Sequence, residues 1–318
     1  STRPDNGKTW YGHDKNNPLY QDTYGQTNLA RSHSIVADVK LGWNISEHIT
    51  ANGTVRYSYG NSDGKYVTTP EAHNASYPDG RVSQTVSWDS GVSTTALLKY
   101  SRTFAGKHSL SGLAGWEWSQ SYSQYITAEG RDMTNGLTQL STSVADAVGG
   151  NLYEGESWSW FVQGQYSYAE RYIFSTTLRA DASSVFAPDR RTGYFPAASA
   201  AWVASSEPFM KGQDVLSYLK LRASYGSTGN SGLGYYKYLE IYSFPENARY
   251  EGQVGGLPKT LGNPNLHWET AIMLNVGVDA TLRDRLSVSL DVYDNKNRDL
   301  LLAVPVSLST GFDERVEN

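Results

Sequence analysis

The 318 residues carry a net charge of −5 and no cysteine, which excludes a disulfide scaffold, a thiolate metal site and a cysteine nucleophile. No stretch approaches the roughly 18 apolar residues of a membrane helix, and no long Lys/Arg run indicates nucleic-acid binding. Yet 13% of the residues are aromatic, with 23 Tyr and 9 Trp, although the mean hydropathy is only −0.51. Extracellular ligand-binding β-proteins and membrane β-barrels both combine these traits, because a barrel strand turns only alternate residues towards lipid.

Alternation of apolar and polar residues predicts about ten strands along the chain. The first two cover 34–45 and 49–59, on either side of a short turn. The next four form two pairs that turn near residues 105 and 170, and a seventh strand covers about 194–204. Residues 207–217 are predicted to hold a short helix, because Pro208 suits a first helical turn. An eighth strand begins at Leu219, and a last pair turns near residue 284.

The connections between these strands alternate in length. The turns near residues 46, 105, 170 and 284 are a few residues long. The other connections are predicted to be mostly long loops, at 60–91, 119–157, 183–193 and 226–266. Short turns at one end and long loops at the other are typical of outer-membrane barrels. Strands of about 12–13 residues, tilted by about 40°, span on the order of 30 Å, enough for a bilayer core.

The large aromatic residues are concentrated towards the strand ends, whereas Val, Leu, Ala and Gly occupy mid-strand positions. This distribution predicts two aromatic girdles at the membrane interfaces. The members of the inner girdle are predicted to be Trp43, Tyr100, Tyr166, Tyr168 and Trp202. The members of the outer girdle are predicted to be Tyr57, Tyr59, Trp116, Trp118, Trp158, Trp160 and Trp268. The alternative is a packed sandwich core, which would place the largest side chains mid-strand.

No residue pattern predicts catalysis, a metal site or a cofactor. There is no Ser-His-Asp order, and the six histidines show no ligand spacing. The glycine-rich segment 226–234 lacks the lysine of a phosphate loop and is predicted to be a flexible strand-to-loop turn. The substrate-contact candidates are loop tyrosines and polar residues expected to face a hydrated lumen: Tyr235, Tyr236, Tyr238, Tyr242, Arg222 and Glu269. Loop packing is the alternative role for the tyrosines.

Three sequence blocks occur in order between residues 179 and 312. Residues 179–188 read RADASSVFAP and continue to GYFP at 193–196, residues 219–230 read LKLRASYGSTGN, and residues 262–270 read GNPNLHWET. These blocks resemble the barrel of SusC-like TonB-dependent transporters from Bacteroidetes. Ala182 stands where that family usually has glycine, and residues 1–178 fit only by architecture.

The resemblance implies an all-β fold, a transmembrane antiparallel β-barrel in which residues 1–318 supply about ten strands of a 22-stranded wall. The N-terminal plug and the closing strands have no counterpart here. Because an open sheet edge in lipid costs several kcal/mol for each unpaired backbone group, we expect this chain to be the central part of a longer polypeptide.

The function implied by the resemblance is TonB-dependent import of a nutrient, oligosaccharide first and oligopeptide second, without catalysis. The implied partners are a SusD-like surface lipoprotein, the TonB complex acting through the plug, and outer-membrane lipid, but no nucleic acid. The implied location is the cell outer membrane of a Gram-negative bacterium. Two other functions remain open from the residues alone: a passive porin or surface adhesin, and a soluble carbohydrate-binding β-protein.

Overall fold

A computed structural model describes residues 26–70, 79–134, 137–212, 214–244, 249–312 and 314–318. Ten strands form one antiparallel sheet in the order β1-β2-β3-β4-β5-β6-β7-β8-β13-β14, which confirms the predicted fold class. Their bounds are β1 Gln26–Asn44, β2 Ile49–Thr68, β3 Arg81–Phe104, β4 His108–Arg131, β5 Val144–Tyr168, β6 Tyr172–Ser183, β7 Thr192–Val203, β8 Leu216–Asn230, β13 Glu269–Leu282 and β14 Leu286–Arg298. Within the described ranges, no helix is long and apolar enough to cross a membrane.

Short strands pair with one another in the segments between and after the long strands. They are β9 (Ile241–Ser243) with β12 (Leu257–Thr260), β10 (Arg249–Tyr250) with β11 (Gln253–Val254), and β15 (Leu302–Pro305) with β16 (Glu314–Glu317). The predicted helix over 207–217 is wrong. The chain instead makes two single 3₁₀ turns, Ala204–Ser206 and Pro208–Met210, with Pro208 at the start of the second turn.

Two of the predicted long loops are largely strand. Strand β2 continues to Thr68 and β3 begins at Arg81, so most of 60–91 is paired backbone. Likewise, β4 ends at Arg131 and β5 begins at Val144, within the predicted loop 119–157. The extensions of β3 and β4 are rich in Ser, Thr and Gln on both faces, and that of β5 is rich in Gly and acidic residues, so the apolar alternation that marks a strand is weak there. The 25 residues of β5 span roughly 80 Å, far more than a bilayer core requires.

The chain divides into two compact units, one of which comprises 26–38, 56–92 and 121–154 in its described part. Polar contacts between strands hold this unit together. The guanidinium of Arg56 donates two hydrogen bonds to Asp38, at 2.7 and 2.9 Å, and Ser123 donates to Asp89 at 2.6 Å. A small apolar cluster adds to them, formed by Val67, Val82, Met133 and Leu140.

The other unit comprises 39–55, 93–120 and 155–318, and its sheet has two chemically different faces. Leu178 of β6 pairs with Val162 of β5 and with Pro196 of β7, and this side is the apolar face. Thr177, which precedes Leu178 in the chain, lies on the opposite side with its pairing partner Gln163, and this side is the polar face. Leu178 is 61% exposed. A soluble protein rarely leaves a contiguous apolar surface of this kind uncovered, so the apolar face is the side that suits lipid.

A charge placed on each face tests this orientation. We expect Leu178→Arg in the full-length protein to lower the free energy of unfolding by about 2–4 kcal/mol, since the charge would enter hydrocarbon near the bilayer midplane. Thr177→Arg, one residue away on the polar face, should change it by about 0.5 kcal/mol or less. Denaturant unfolding in lipid vesicles measures both. Equal losses for the two variants would contradict the assignment of the faces.

Candidate functional site

An arginine clamp on the polar face joins strands β8, β13 and β14. Arg222 lies opposite Gly277 of β13, and Gly277 lies opposite Asp291 of β14. The guanidinium crosses the glycine and donates to Asp279 at 3.0 Å and to Asp291 at 2.8 Å. A Cβ on Gly277 would lie 2.6 Å from Cζ of Arg222, so any other residue there would force the guanidinium to shift. We call Arg222, Gly277, Asp279 and Asp291 the Arg222 clamp.

The Arg222 clamp uses up the hydrogen-bonding capacity of its arginine. The guanidinium also donates to Asn275 at 3.5 Å and to Ser289 at 3.4 Å, and Ser289 in turn donates to Asp279 at 2.6 Å. Lys220 occupies the register position opposite Asp279. The two cations and two carboxylates therefore sum to zero charge. Arg222 is therefore held by its neighbours in the sheet. Its contact with a substrate stays a prediction.

A second arginine clamp lies on the polar face around Arg179 of β6. Its guanidinium donates to Asp181 at 2.7 Å and to Glu117 and Ser159 at 3.0 Å each. The same group lies 5.0 Å from the centre of the Phe161 ring, a cation–π geometry. This cluster was not predicted from the sequence. Its detectable signal was the alternation that puts Arg179 and Asp181 on one face of β6.

A concavity of about 730 Å³ lies on the polar face beside the Arg222 clamp, and we call it the polar groove. Its floor consists of small residues on β6, β7 and β8, and its sides include residues of β13 and β14. The lining residues are Ser175, Thr177, Ala197, Ala198, Ser199, Arg222, Ser224, Tyr225, Gly226, Met273, Leu274, Asn275, Tyr293 and Asn295. A smaller concavity of about 260 Å³ shares Ser175, Ser199, Ser224, Arg222 and Asn275 with it. The volume of the polar groove falls within the range of about 300–1,000 Å³ typical of small-molecule sites.

The structure does not bring the predicted substrate-contact residues together. Glu269 pairs with Asn230, eight residues along the register from the pair of Arg222 and Gly277, which is roughly 26 Å of strand. A Glu269 carboxylate oxygen accepts the backbone N–H of Leu301 at 3.5 Å.

The predicted loop tyrosines lie beyond the end of β8. The rings of Tyr235 and Tyr236 contact each other at 6.1 Å, and Tyr238 follows in the same turn region. Tyr242 in β9 donates to Glu240 at 2.6 Å, and this hydrogen bond raises the pKa of Tyr242 above its ordinary value. Their contact with substrate stays a prediction.

One predicted girdle residue is wrong. Trp268 lies inside a buried cluster at the loop end of the sheet, with its ring 5.5 Å from those of Phe186 and Phe195. Its indole N–H donates to the carbonyl of Arg191 at 2.7 Å. The buried centre of this loop-end cluster is Phe186, Leu266 and Val316. Trp43 and Trp160, in contrast, are exposed, and their place in a girdle stays a prediction.

The glycines around Phe195 serve packing rather than a flexible turn. Gly226 and Gly229 belong to strand β8, and the change from strand to loop within the segment 226–234 comes after Asn230. A Cβ on Gly229 would lie 2.0 Å from the Phe195 ring, and one on Gly193 would lie 2.6 Å from it. The missing side chains therefore make room for a ring that is only 6% exposed.

A buried carboxylate organises the short-turn end of β6 and β7. Glu207 accepts hydrogen bonds from the Tyr172 hydroxyl at 2.6 Å and the Trp202 indole at 3.2 Å, with Arg171 at 3.4 Å. The hydrogen bonds from Tyr172 and Trp202 hold the pKa of Glu207 below its ordinary value. The sequence analysis placed Trp202 in a girdle but did not find its acidic partner.

The described residues contain no group of three or more His, Cys, Asp or Glu that could hold a metal. The polar face instead offers hydroxyls, amides and two arginines that are held by carboxylates. A sheet with one polar, hydrated face and one exposed apolar face is the wall of a membrane β-barrel.

Comparisons with known proteins agree with this class. Residues 1–315 match the family model "TonB dependent receptor-like, beta-barrel", and the chain belongs to this family. It is a family of outer-membrane receptors and transporters rather than of enzymes.

Two curated relatives show the similarity in sequence. The chain is 34% identical to TonB-dependent receptor P3 of Formosa agariphila over 227 residues, covering 70% of this chain and 23% of that protein. It is 35% identical to TonB-dependent receptor SusC of Bacteroides thetaiotaomicron over 167 residues, covering 50% of this chain and 16% of that protein. The chain thus spans under a third of the length of these relatives.

A solved structure shows the similarity in fold. The RagAB peptide transporter aligns with a TM-score of 0.86 at 23% sequence identity, covering 98% of this chain and 35% of the matched chain. The copper transporter OprC aligns less closely, with a TM-score of 0.51 at 14% identity.

Substitution of Gly277 tests the Arg222 clamp. We expect Gly277→Ala to lower the free energy of unfolding by about 1–3 kcal/mol, because the new methyl group would displace the guanidinium and part of its hydrogen bonds. Gly53 in β2 is the matched control, since a Cβ there meets nothing within 4 Å. Gly53→Ala should therefore change stability by about 0.5 kcal/mol or less. Denaturant unfolding of both full-length variants in lipid vesicles measures the two changes in the free energy of unfolding. Equal changes would show that the Arg222 clamp does not depend on a glycine at position 277.

Titration tests the Glu207 carboxylate. Because its pKa is lowered in the folded state, its stabilising contribution is complete above the ordinary glutamate pKa of about 4.3 and is lost as the pH falls through the lowered folded value. Unfolding at pH 7 should therefore show Glu207→Gln to be less stable than the unsubstituted protein, and the difference should shrink below about pH 4. Glu170→Gln in the neighbouring turn is the control. A difference that does not vary with pH would contradict the role of the carboxylate charge.

Proposed function

We propose that this chain forms part of the wall of a TonB-dependent outer-membrane transporter that imports a neutral oligosaccharide. Membership of the TonB-dependent receptor family supports the transporter class. The similarity to SusC, over half of this chain, supports the SusC-like branch. The observation that supports the choice of a neutral cargo is the pairing of Arg179 and Arg222 with carboxylates on the polar face.

The polar face supports an uncharged cargo because the two arginines of its clamps are already paired with carboxylates. Arg222 is held by Asp279 and Asp291, and Arg179 is held by Glu117 and Asp181. A strongly anionic or cationic solute would have to displace an existing partner to gain a charge contact. Hydroxyl-bearing solutes can hydrogen-bond to the exposed polar atoms of the wall without that exchange.

The proposed energy source and partner follow from the family resemblance. A SusD-like lipoprotein would cover the loop end, and the TonB complex would act on a plug supplied by the rest of the protein. The residues of this chain would bind neither TonB nor an energy-carrying cofactor. They would supply the wall, the loop-end cluster and the surface that the solute passes.

Uptake in cells tests the function. In a strain that carries the full-length gene, we expect disruption of the tonB gene to abolish uptake of neutral oligosaccharides and growth on them. Complementation with tonB should restore both. Uptake that continues without TonB would indicate a passive porin and would overturn active import.

A second uptake experiment tests which class of solute is imported. Cells that lack only this transporter should lose uptake of one neutral oligosaccharide class and keep uptake of oligopeptides. RagAB is described as a peptide transporter, so a selective loss of peptide uptake is the informative opposite result. Loss of adhesion with normal uptake would instead favour the surface adhesin.

A further inference from the structure

Three separate segments of the chain each supply one residue to the buried centre of the loop-end cluster. Phe186 comes from the connection between β6 and β7, Leu266 from the connection between β8 and β13, and Val316 from the stretch after β14. We call these stretches, the described residues of 184–191, 231–268 and 299–318, the three loop-end segments. Since Phe186 and Leu266 are fully buried and Val316 is 9% exposed, moving one segment away would expose apolar side chains of the others to water.

Asn263 joins two of the three loop-end segments through a buried side chain. Its Nδ2 donates to the carbonyl of Val316 at 2.9 Å, and its Oδ1 accepts the backbone N–H of Asn265 at 3.1 Å. The backbone N–H of Asn263 donates to the carbonyl of Lys237 at 3.2 Å. Because Asn263 is only 6% exposed, water would replace the hydrogen bond to Val316 poorly, and its loss is costly.

Further contacts cross between the same segments. The indole N–H of Trp268 donates to the carbonyl of Arg191 at 2.7 Å, which ties the 231–268 segment to the connection between β6 and β7. Leu261 forms an isolated parallel bridge with Arg315, beside the hydrogen bond from Asn263. All of these contacts are made within this chain, so they do not depend on what else borders the loop end.

We propose that the three loop-end segments open and close as one cooperative unit, and that Asn263 is the residue that joins them. Segments that share one buried centre open with one free energy, as other cooperative units of proteins do. Through the carbonyl of Lys237, the turn that carries Tyr236 and Tyr238 belongs to this unit. A ligand that orders this turn therefore orders the other two segments as well. The proposal does not depend on which solute the protein imports.

Hydrogen–deuterium exchange of the full-length protein in lipid vesicles tests the proposal, with peptides from each segment measured by mass spectrometry. Asn263→Asp replaces the Nδ2 donor by a carboxylate oxygen and keeps an acceptor for the N–H of Asn265. Asn265→Asp is the matched control, because it makes the same change at an exposed residue whose hydrogen bonds, within the described residues, come from backbone atoms. Peptides from β7 report on the wall itself.

We expect Asn263→Asp at pH 7 to speed exchange by about tenfold or more in all three loop-end segments and by similar factors, since the carboxylate would repel the carbonyl of Val316. Exchange in β7, and exchange throughout Asn265→Asp, should change by about twofold or less. Faster exchange only around residues 263 and 316, or in none of the segments, would show that the segments open independently and would overturn the proposal.

Lower pH gives a second readout that a packing defect would not give. Protonation of the carboxyl introduced by Asn263→Asp restores an O–H donor towards the carbonyl of Val316. The ratio of exchange rates between variant and unsubstituted protein, taken at each pH, should therefore fall towards one as the pH drops through the carboxyl pKa, ordinarily about 3.9 and raised by burial. A ratio that does not vary with pH would contradict the role of Asn263 as the donor that joins the segments.

A second variant keeps the test valid if Asn263→Asp does not fold. Val316→Ala leaves the hydrogen bond to Asn263 in place and shrinks the buried centre of the loop-end cluster. It should speed exchange in all three loop-end segments by similar factors, since the apolar contacts that it removes are shared by all of them. Faster exchange confined to the pair of β15 and β16 would overturn the proposal.

Discussion

Hydrocarbon offers no hydrogen-bond partner to a peptide group, and this one constraint governs the structure. Every backbone N–H and C=O at membrane depth must be paired within the protein, which leaves long, continuously paired strands as the solution for a wall of this kind. Strands β6 and β7 meet it without a break, from the pair of Tyr172 and Trp202 to the pair of Ala182 and Thr192. Uninterrupted pairing makes the alternation of side chains strict, since a slip of one residue would exchange the two faces.

The strict alternation in turn decides what the polar face can carry. The two arginines of that face are held by carboxylates on nearby strands that the register places within their reach. Arg222 reaches two strands away only because Gly277 lies between it and Asp291. Arg179 likewise reaches Glu117 on β4 across β5. Both clamps join strands that are not direct neighbours, so the same contacts that stabilise the sheet also pair both arginines with carboxylates.

The sequence was sufficient for the fold wherever one face was apolar. Alternation predicted the ten strands and the short turns because residues such as Leu178 and Val276 repeat at every second position. It failed on the extensions of β2 to β5, where polar residues and glycines interrupt the apolar alternation and the strands are held by contacts such as the one between Ser123 and Asp89. Hydrogen bonds between distant segments leave no periodic signal in a single sequence.

The candidate site was less accessible to sequence reasoning for a related reason. Arg222 was identified as a lumen residue, but its partner Asp291 is 69 residues away along the chain, and only the β13 register brings them together. Trp268 was predicted to be a girdle residue because it is a large aromatic residue near a strand end. Gly193 and Gly229 leave room for the Phe195 ring, which packs against Trp268. The role of a glycine in packing can be recognised only once the residue that lies against it is known.

The central claim is that the sheet separates lipid from a hydrated lumen, and a spin-label scan along β6 tests it most directly. Nitroxides would be placed one at a time at positions 173–182 of the full-length protein in lipid vesicles, and their collisions with oxygen and with a water-soluble nickel complex would be measured. The account predicts a period of two, with oxygen favoured at 174, 176, 178 and 180 and nickel favoured at 173, 175, 177 and 179. Similar accessibility at neighbouring positions, or nickel favoured at every position, would contradict it.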